Sequence, residues 1–376
     1  MGKKTHLVFS GNTAWGMYNF RSKLLKHYAD SARVTVIAPH DDIYSEKLRG
    51  LGCEVVDIDI QSKGRNPLAD FLLVVKYVRL FKQLKPDFSI TYTIKPNIYA
   101  SIAARILGIP FLPITTGLGY IFLHKNLTSV IAKVLYKLAF QKARQVWFLN
   151  VDDMKIFKES RLVCESKVRL LHGEGIDTEK LPLMPLNETS DAFKFLLIGR
   201  MIADKGLYEY ADAAKMVKQK YPDVQFWLLG PLWKENPAAV SEEQLRQWDK
   251  EGVVAYLGAT DNVKQCISQV DCVVLPSSYR EGVPFTLMEG ASMGRPLIAT
   301  DIPGCRDVVI DGKTGYLCEV KNASSLAHAM EKMMALNPIQ RRQMGLAGRE
   351  YMEREFDVKH IIRQYDNYIS QIVSIK

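Results

Sequence analysis

The sequence predicts an α/β protein of two doubly wound domains facing each other across a cleft. Short apolar runs alternate with stretches of helical spacing along the whole chain. That alternation breaks once, at the proline-rich and polar stretch "LPLMPLNETSD" (181–191), and then restarts. The 376 residues are enough to bury two sizeable cores.

Taken in order, strands are expected at 5–9, 33–38, 53–58, 88–93, 111–115 and 145–150, with helical spacing over 67–84 and 127–143. After the break, strands are expected at 193–199, 224–230, 253–258, 272–276 and 296–300. Strand–helix alternation of this kind gives parallel sheets covered on both faces. The expected organisation is a first domain over 1–180, a linker over 181–191 and a second domain over 192–355. A terminal helix within 356–376 is expected to pack back on the first domain. Ligands of such sheets sit beyond the carboxyl ends of the strands.

Composition narrows the partners. Six cysteines without a C-x-x-C pair read as reduced thiols of a cytoplasmic protein. Seven histidines without clustered spacing give no metal site. No apolar stretch approaches the ~20 residues needed to span a bilayer, so the chain is expected to be soluble or to lie on a membrane surface. The net charge of +9 is unevenly placed: residues 1–187 carry 27 Lys and Arg against 16 Asp and Glu, and the remainder 23 against 25. A basic first half points to an anionic partner.

Two motifs carry chemistry. "GRMIADKG" (199–206) follows one strand and places Arg200 and Lys205 five apart. "REGVPFTLMEGASMG" (280–294) follows another, with Glu281 and Glu289 eight apart and Pro284 expected at the first helical position. The amides of Phe285, Thr286 and Leu287 then point out of a helix start, where the dipole favours an anion. Two cations and an amide nest suit a diphosphate. The glutamates suit sugar hydroxyls, with Glu289 on a ribose and Glu281 near a second sugar. Either motif alone is weak; the two in this order, each after an apolar strand, are much stronger.

These residues resemble the retaining family 4 glycosyltransferases of the GT-B fold, which pair G-R-x4-K-G with E-x7-E in two Rossmann-like domains. "HGEGID" (172–177) and "GVPFTLMEGASMGRPLIATDIPGCRDVVIDGKTGYL" (282–317) extend the resemblance nearly end to end. It implies catalytic roles for Arg200, Lys205 and Glu281, with Arg200 and Lys205 on the diphosphate of a UDP-sugar. It further implies donor contacts from residues 285–287, Glu289, Gly16 in "SGNTAWGMYNFR" (10–21), and Thr260 within the uracil-edge stretch Ala259–Asp261. "TIKPNIYAS" (93–101) and "ITTGLGYIF" (114–122) resemble enzymes that extend polyprenyl-diphosphate-linked glycans. Arg21, Lys95 and Thr116 are then the acceptor candidates. Many family members place a histidine–acidic pair where Thr115 and Thr116 stand, so the groups touching sugar and acceptor differ here.

The implied reaction is metal-independent, cofactor-free transfer of a sugar, with N-acetylgalactosamine favoured, to an undecaprenyl-diphosphate-linked saccharide; no nucleic acid is involved. The helices at 68–85 and 125–144 carry apolar stripes ringed by Lys76, Arg79, Lys82, Lys85 and by Lys133, Lys137, Lys142, Arg144. They suit the anionic cytoplasmic face of the inner membrane. A small soluble acceptor, a UDP-sugar epimerase, a non-catalytic nucleotide-sugar regulator and a metal-dependent transferase using Asp57 and Asp59 remain as alternatives.

Overall fold

The computed structural model describes residues 4–60, 66–118, 127–186 and 192–373. The end of the expected linker (187–191), the tail of 114–122 and the start of the helix expected at 125–144 lie outside them. The chain divides into two compact units, Met1–Gly175 with Val358–Lys376, and Ile176–Asp357.

The first unit opens with β1 (His6–Ser10), α1 (Ala14–Ser31), β2 (Arg33–Ala38), α2 (Asp42–Gly50) and β3 (Glu54–Asp57). It continues through α3 (Pro67–Leu84), β4 (Phe88–Tyr92), α4 (Ile94–Leu107), β5 (Phe111–Thr115) and α5 (Leu127–Phe140). β6 (Val146–Phe148), α6 (Val151–Glu159) and β7 (Val168–Leu170) follow. The strands pair in parallel in the order β3-β2-β1-β4-β5-β6-β7. Strands such as "HLVFS" and "FSITY" are buried throughout, as parallel strands covered on both faces require. Helices start where side chains satisfy their open amides: Thr13, Asp41, Asn66 and Asn150 cap α1, α2, α3 and α6.

The second unit holds β8 (Lys194–Ile198), α7 (Leu207–Lys220), β9 (Gln225–Leu229), α8 (Glu242–Lys250), β10 (Ala255–Tyr256) and α9 (Val263–Ser268). β11 (Cys272–Leu275), α10 (Phe285–Ser292), β12 (Leu297–Thr300), α11 (Cys305–Val308) and β13 (Gly315–Cys318) come next. α12 (Ala323–Ala335) and α13 (Pro338–Tyr351) complete it. Its sheet is again parallel, in the order β10-β9-β8-β11-β12-β13. Of the expected linker, the described part is bound into this unit. Arg295, fully buried, donates to the carbonyls of Met184, Pro185, Ile267 and Ser268, and Met184 N–H donates to Met293 O. The boundary therefore falls earlier than expected, between Gly175 and Ile176. A guanidinium out of water needs acceptors, and the proline-rich segment supplies two of them.

Helix α14 (Val358–Ile369) returns to the first unit. Tyr28 Oη donates to Asp366 at 2.9 Å, and the hydroxyls of Tyr92 and Tyr365 are 2.8 Å apart. Trp147 meets the Tyr365 ring edge-on at 5.0 Å.

Candidate active site

All strands of the second sheet run parallel, so the loops after β8, β9, β10 and β11 leave one edge. β8 and β11 are neighbours, which brings 199–206 beside 276–284. Gly206 (φ +78°) makes their contact possible: a Cβ there would lie 2.0 Å from Pro276 O. Ser278 N–H donates to Asp204 O at 2.8 Å, and Ser277 Oγ to the same oxygen at 3.1 Å. From the other side Gly304 (φ +85°) lies against Glu281, where a Cβ would come 2.6 Å from its carbonyl oxygen.

The two motifs meet inside this frame. Lys205 Nζ is 2.5 Å from Glu281 Oε1, and each side chain is only 12% exposed. Ser277 Oγ donates to the same carboxylate oxygen at 2.9 Å. A largely desolvated ammonium–carboxylate contact of this kind is strong and directional. Pro284 is the residue before α10, with extended φ −71° and ψ 119°; it is not the first helical residue. Its fixed φ suits that position as well as the expected one. Pro284 offers α10 no capping side chain, and the amides of Phe285, Thr286 and Leu287 lie at its positive end. Glu289 follows one turn on. Burial alone pushes its carboxyl up to about 7, and the carboxyl has no hydrogen-bond or ion-pair partner among the described residues. Arg200 is exposed, with its guanidinium 4.3 Å from the Trp233 ring centre. Thr260 lies exposed on the same edge, after β10, and its Oγ1 accepts from Asn262 N–H at 3.0 Å.

The remaining sequence candidates belong to the first unit. Gly16 lies in the first turn of α1, its N–H on Thr13 Oγ1 at 3.0 Å and its carbonyl accepting from Arg21. Arg21 is 5% exposed, paired with Glu174 and stacked 3.8 Å over the Tyr92 ring. The sequence reading gave it an acceptor diphosphate to hold; in the fold it is held by a buried Glu174, which its departure would strand. Burial raises the Glu174 carboxyl pKa while Arg21 opposes the shift. Lys95 is held by Asp70 at 2.7 Å, and Thr116 is half-buried just after β5. Asp57 ends β3 and contacts His40 Nδ1 at 3.0 Å.

The second unit thus offers two cations and a helix start for an anion, beside carboxylates for hydroxyl groups. Sequence reasoning missed Ser277, Glu174 and Trp233. Glu174 stood inside the quoted "HGEGID" without a role; Trp233 reaches Arg200 across 33 residues of sequence with no motif to mark it.

A family model described as "Glycosyl transferases group 1" matches residues 192–335, and one described as "Glycosyl transferase 4-like" matches 6–150. The chain is 27% identical to the N,N'-diacetylbacillosaminyl-diphospho-undecaprenol alpha-1,3-N-acetylgalactosaminyltransferase of Campylobacter jejuni, over 97% of this chain and 98% of that one. It is 26% identical to the UDP-Gal:alpha-D-GlcNAc-diphosphoundecaprenol alpha-1,3-galactosyltransferase of Escherichia coli, over 71% of each. Among solved structures, Anabaena Alr3699/HepE in complex with UDP and glucose superposes with a TM-score of 0.80 at 18% identity, covering 98% of this chain and all of that one.

Proposed function

Because the chain belongs to the group 1 glycosyltransferases of GT-B fold, we infer that it moves a sugar from a UDP-sugar to a saccharide carried on polyprenyl diphosphate. The observation that carries the donor half is the Lys205–Glu281 contact in the loops that lead into α10, with Arg200 on the same sheet edge and the desolvated Glu289 within α10. Arg200, Lys205 and the amides of 285–287 take the diphosphate; Glu289 takes the ribose; Glu281 orients Lys205 and faces the donor sugar; Thr260 lies toward the uracil. Breaking the bond from the sugar C1 to the UDP oxygen builds charge on the leaving diphosphate, where these donors stabilise it. The acceptor hydroxyl attacks the same face, giving retention, and its proton passes to the departing phosphate oxygen. No metal or cofactor is required, since cations and helix dipole offset the diphosphate charge.

The acceptor half is supported by the relatives' names and by the surface of the first unit. Adjacent helices α3, α4 and α5 expose Leu68, Phe71, Leu72, Ile106, Val130, Ile131, Val134 and Leu138. On α5 the apolar stripe is not the core face: Val130, Ile131 and Val134 are at least half exposed, while Ala132, Tyr136, Ala139 and Phe140 are buried. Lys76, Arg79, Lys82, Lys85 and Lys137 are exposed around the stripes. Apolar area ringed by cations suits an anionic bilayer surface, where a lipid-linked acceptor resides. Among the described residues no helix is long and apolar enough to cross a membrane. Arg21, Lys95 and Thr116 are the acceptor-side candidates, and N-acetylgalactosamine in α linkage, within bacterial surface-glycan assembly, is the favoured product.

The test is UDP release from a panel of UDP-sugars, with and without a polyprenyl-diphosphate-linked monosaccharide, in detergent and EDTA. Release that needs both one sugar and the lipid supports the reading. Release without lipid points to hydrolysis or epimerisation, release with a soluble sugar to a soluble acceptor, and loss in EDTA to a metal.

A further inference from the structure

The loop after β9 is built onto the segment that carries Arg200. Met201 bridges Leu232 in parallel and Ile202 bridges Ala239 in antiparallel fashion. Met201 N–H donates to Pro231 O at 3.0 Å, Ala203 N–H to Ala238 O at 2.7 Å, and Val240 N–H to Met201 O at 3.0 Å. The loop also closes on itself, with Asn236 N–H on Trp233 O at 3.0 Å and Ala239 N–H on Asn236 O at 2.9 Å. Backbone bonds on both sides thus hold Trp233 in register with Arg200, and the guanidinium lies 4.3 Å from the ring centre. The Arg200 side chain makes no hydrogen bond or ion pair among the described residues, so the indole is the one described partner of its guanidinium.

We propose that Trp233 is a positioning residue: it holds the Arg200 guanidinium over its ring face, aimed at the donor diphosphate before the donor arrives. An exposed arginine otherwise samples many rotamers, and each ligand bond it makes must offset that lost freedom. A planar guanidinium stacked on an aromatic face keeps its N–H fork free for phosphate oxygens while its orientation is already set. The inference rests on Arg200 meeting the diphosphate.

The experiment is calorimetric titration of the full chain with UDP and with uridine, for wild type, Trp233→Leu, Trp233→Phe, Arg200→Ala and the Arg200→Ala/Trp233→Leu double variant. Leucine keeps apolar bulk without the ring, and phenylalanine keeps the ring, so loop packing and stacking are separated. Trp233→Leu is expected to weaken UDP binding by about three- to ten-fold. Trp233→Phe restores most of that loss, uridine binding is unchanged, and the leucine change adds nothing once Arg200 is alanine. Independent, additive losses in the double variant overturn the proposal, as does an equal loss for uridine, which would make Trp233 a base-stacking residue. Wild-type UDP affinity in Trp233→Leu, with a weakened Arg200→Ala, overturns the proposal and leaves the donor site standing. An unchanged Arg200→Ala removes Arg200 from the diphosphate, and the proposal falls with it.

Discussion

Replacing Glu289 by glutamine removes an ionisable group whose burial has a readable cost. In the unfolded chain this carboxyl titrates near 4.5, whereas in the fold desolvation pushes it up to about 7. Between those values the folded chain keeps a proton that the unfolded chain releases. The stability tied to that proton is present in full below the unfolded value, and is lost as pH rises through the folded one. The gap of roughly 2.5 units, at about 1.4 kcal/mol per unit, amounts to about 3.5 kcal/mol. Urea unfolding from pH 4 to 9, followed by circular dichroism, should show wild type losing that much relative to Glu289→Gln, with the difference levelling above pH 8. A pH-independent offset is allowed, because the amide has its own desolvation cost. The slope decides: parallel curves across the range would refute a desolvated, unpaired carboxyl at this position. The same physics predicts that UDP-sugar affinity rises with pH near 7, since sugar hydroxyls donate more strongly to a carboxylate than to its acid.

Other substitutions separate the site from its frame. Gly206→Ala sets a Cβ 2.0 Å from Pro276 O at φ +78°, so it should destabilise by several kcal/mol in thermal unfolding and cut turnover by spreading the two loops. Glu281→Gln keeps the Ser277 bond but loses the charge that holds Lys205; turnover should fall at least ten-fold with little change in Tm. Glu174→Ala leaves the Arg21 guanidinium buried without its carboxylate, and chemical denaturation should register a loss of about 3–5 kcal/mol. Val134→Ser with Leu138→Ser alters exposed side chains only, so stability should hold while co-sedimentation with anionic vesicles falls.

Much of the architecture was legible because parallel strands announce themselves as apolar runs. Those expected at 33–38 and 111–115 coincide with β2 and β5. β7 and β13 escaped because runs of three or four residues, one broken by an exposed arginine and the other opened by a glycine, leave too weak a pattern. The two motifs could be read because their spacing is local, and the fold brings Lys205 onto Glu281 through neighbouring strands. The ion pairs of Arg21 and Lys95 were not legible: an arginine on a helix looks the same in sequence whatever carboxylate in another segment it meets. The exposed stripe of α5 was a different case. Its 3.6-residue spacing was plain in the sequence, but only the fold shows that alanines and aromatics of the opposite face pack inward.

The return of α14 to the first unit has a temporal consequence. Ribosomes deliver residues 358–369 after the whole of 176–357, so Tyr28, Tyr92 and Trp147 wait through 182 intervening residues for Tyr365 and Asp366. During that interval the second unit already has its complete sheet, while the half made first has every strand but still shows water a bare strip along its outer helix layer. The unit that starts first therefore finishes last. A nascent chain held up before residue 358 would combine a closed second unit with an apolar seam that chaperones recognise.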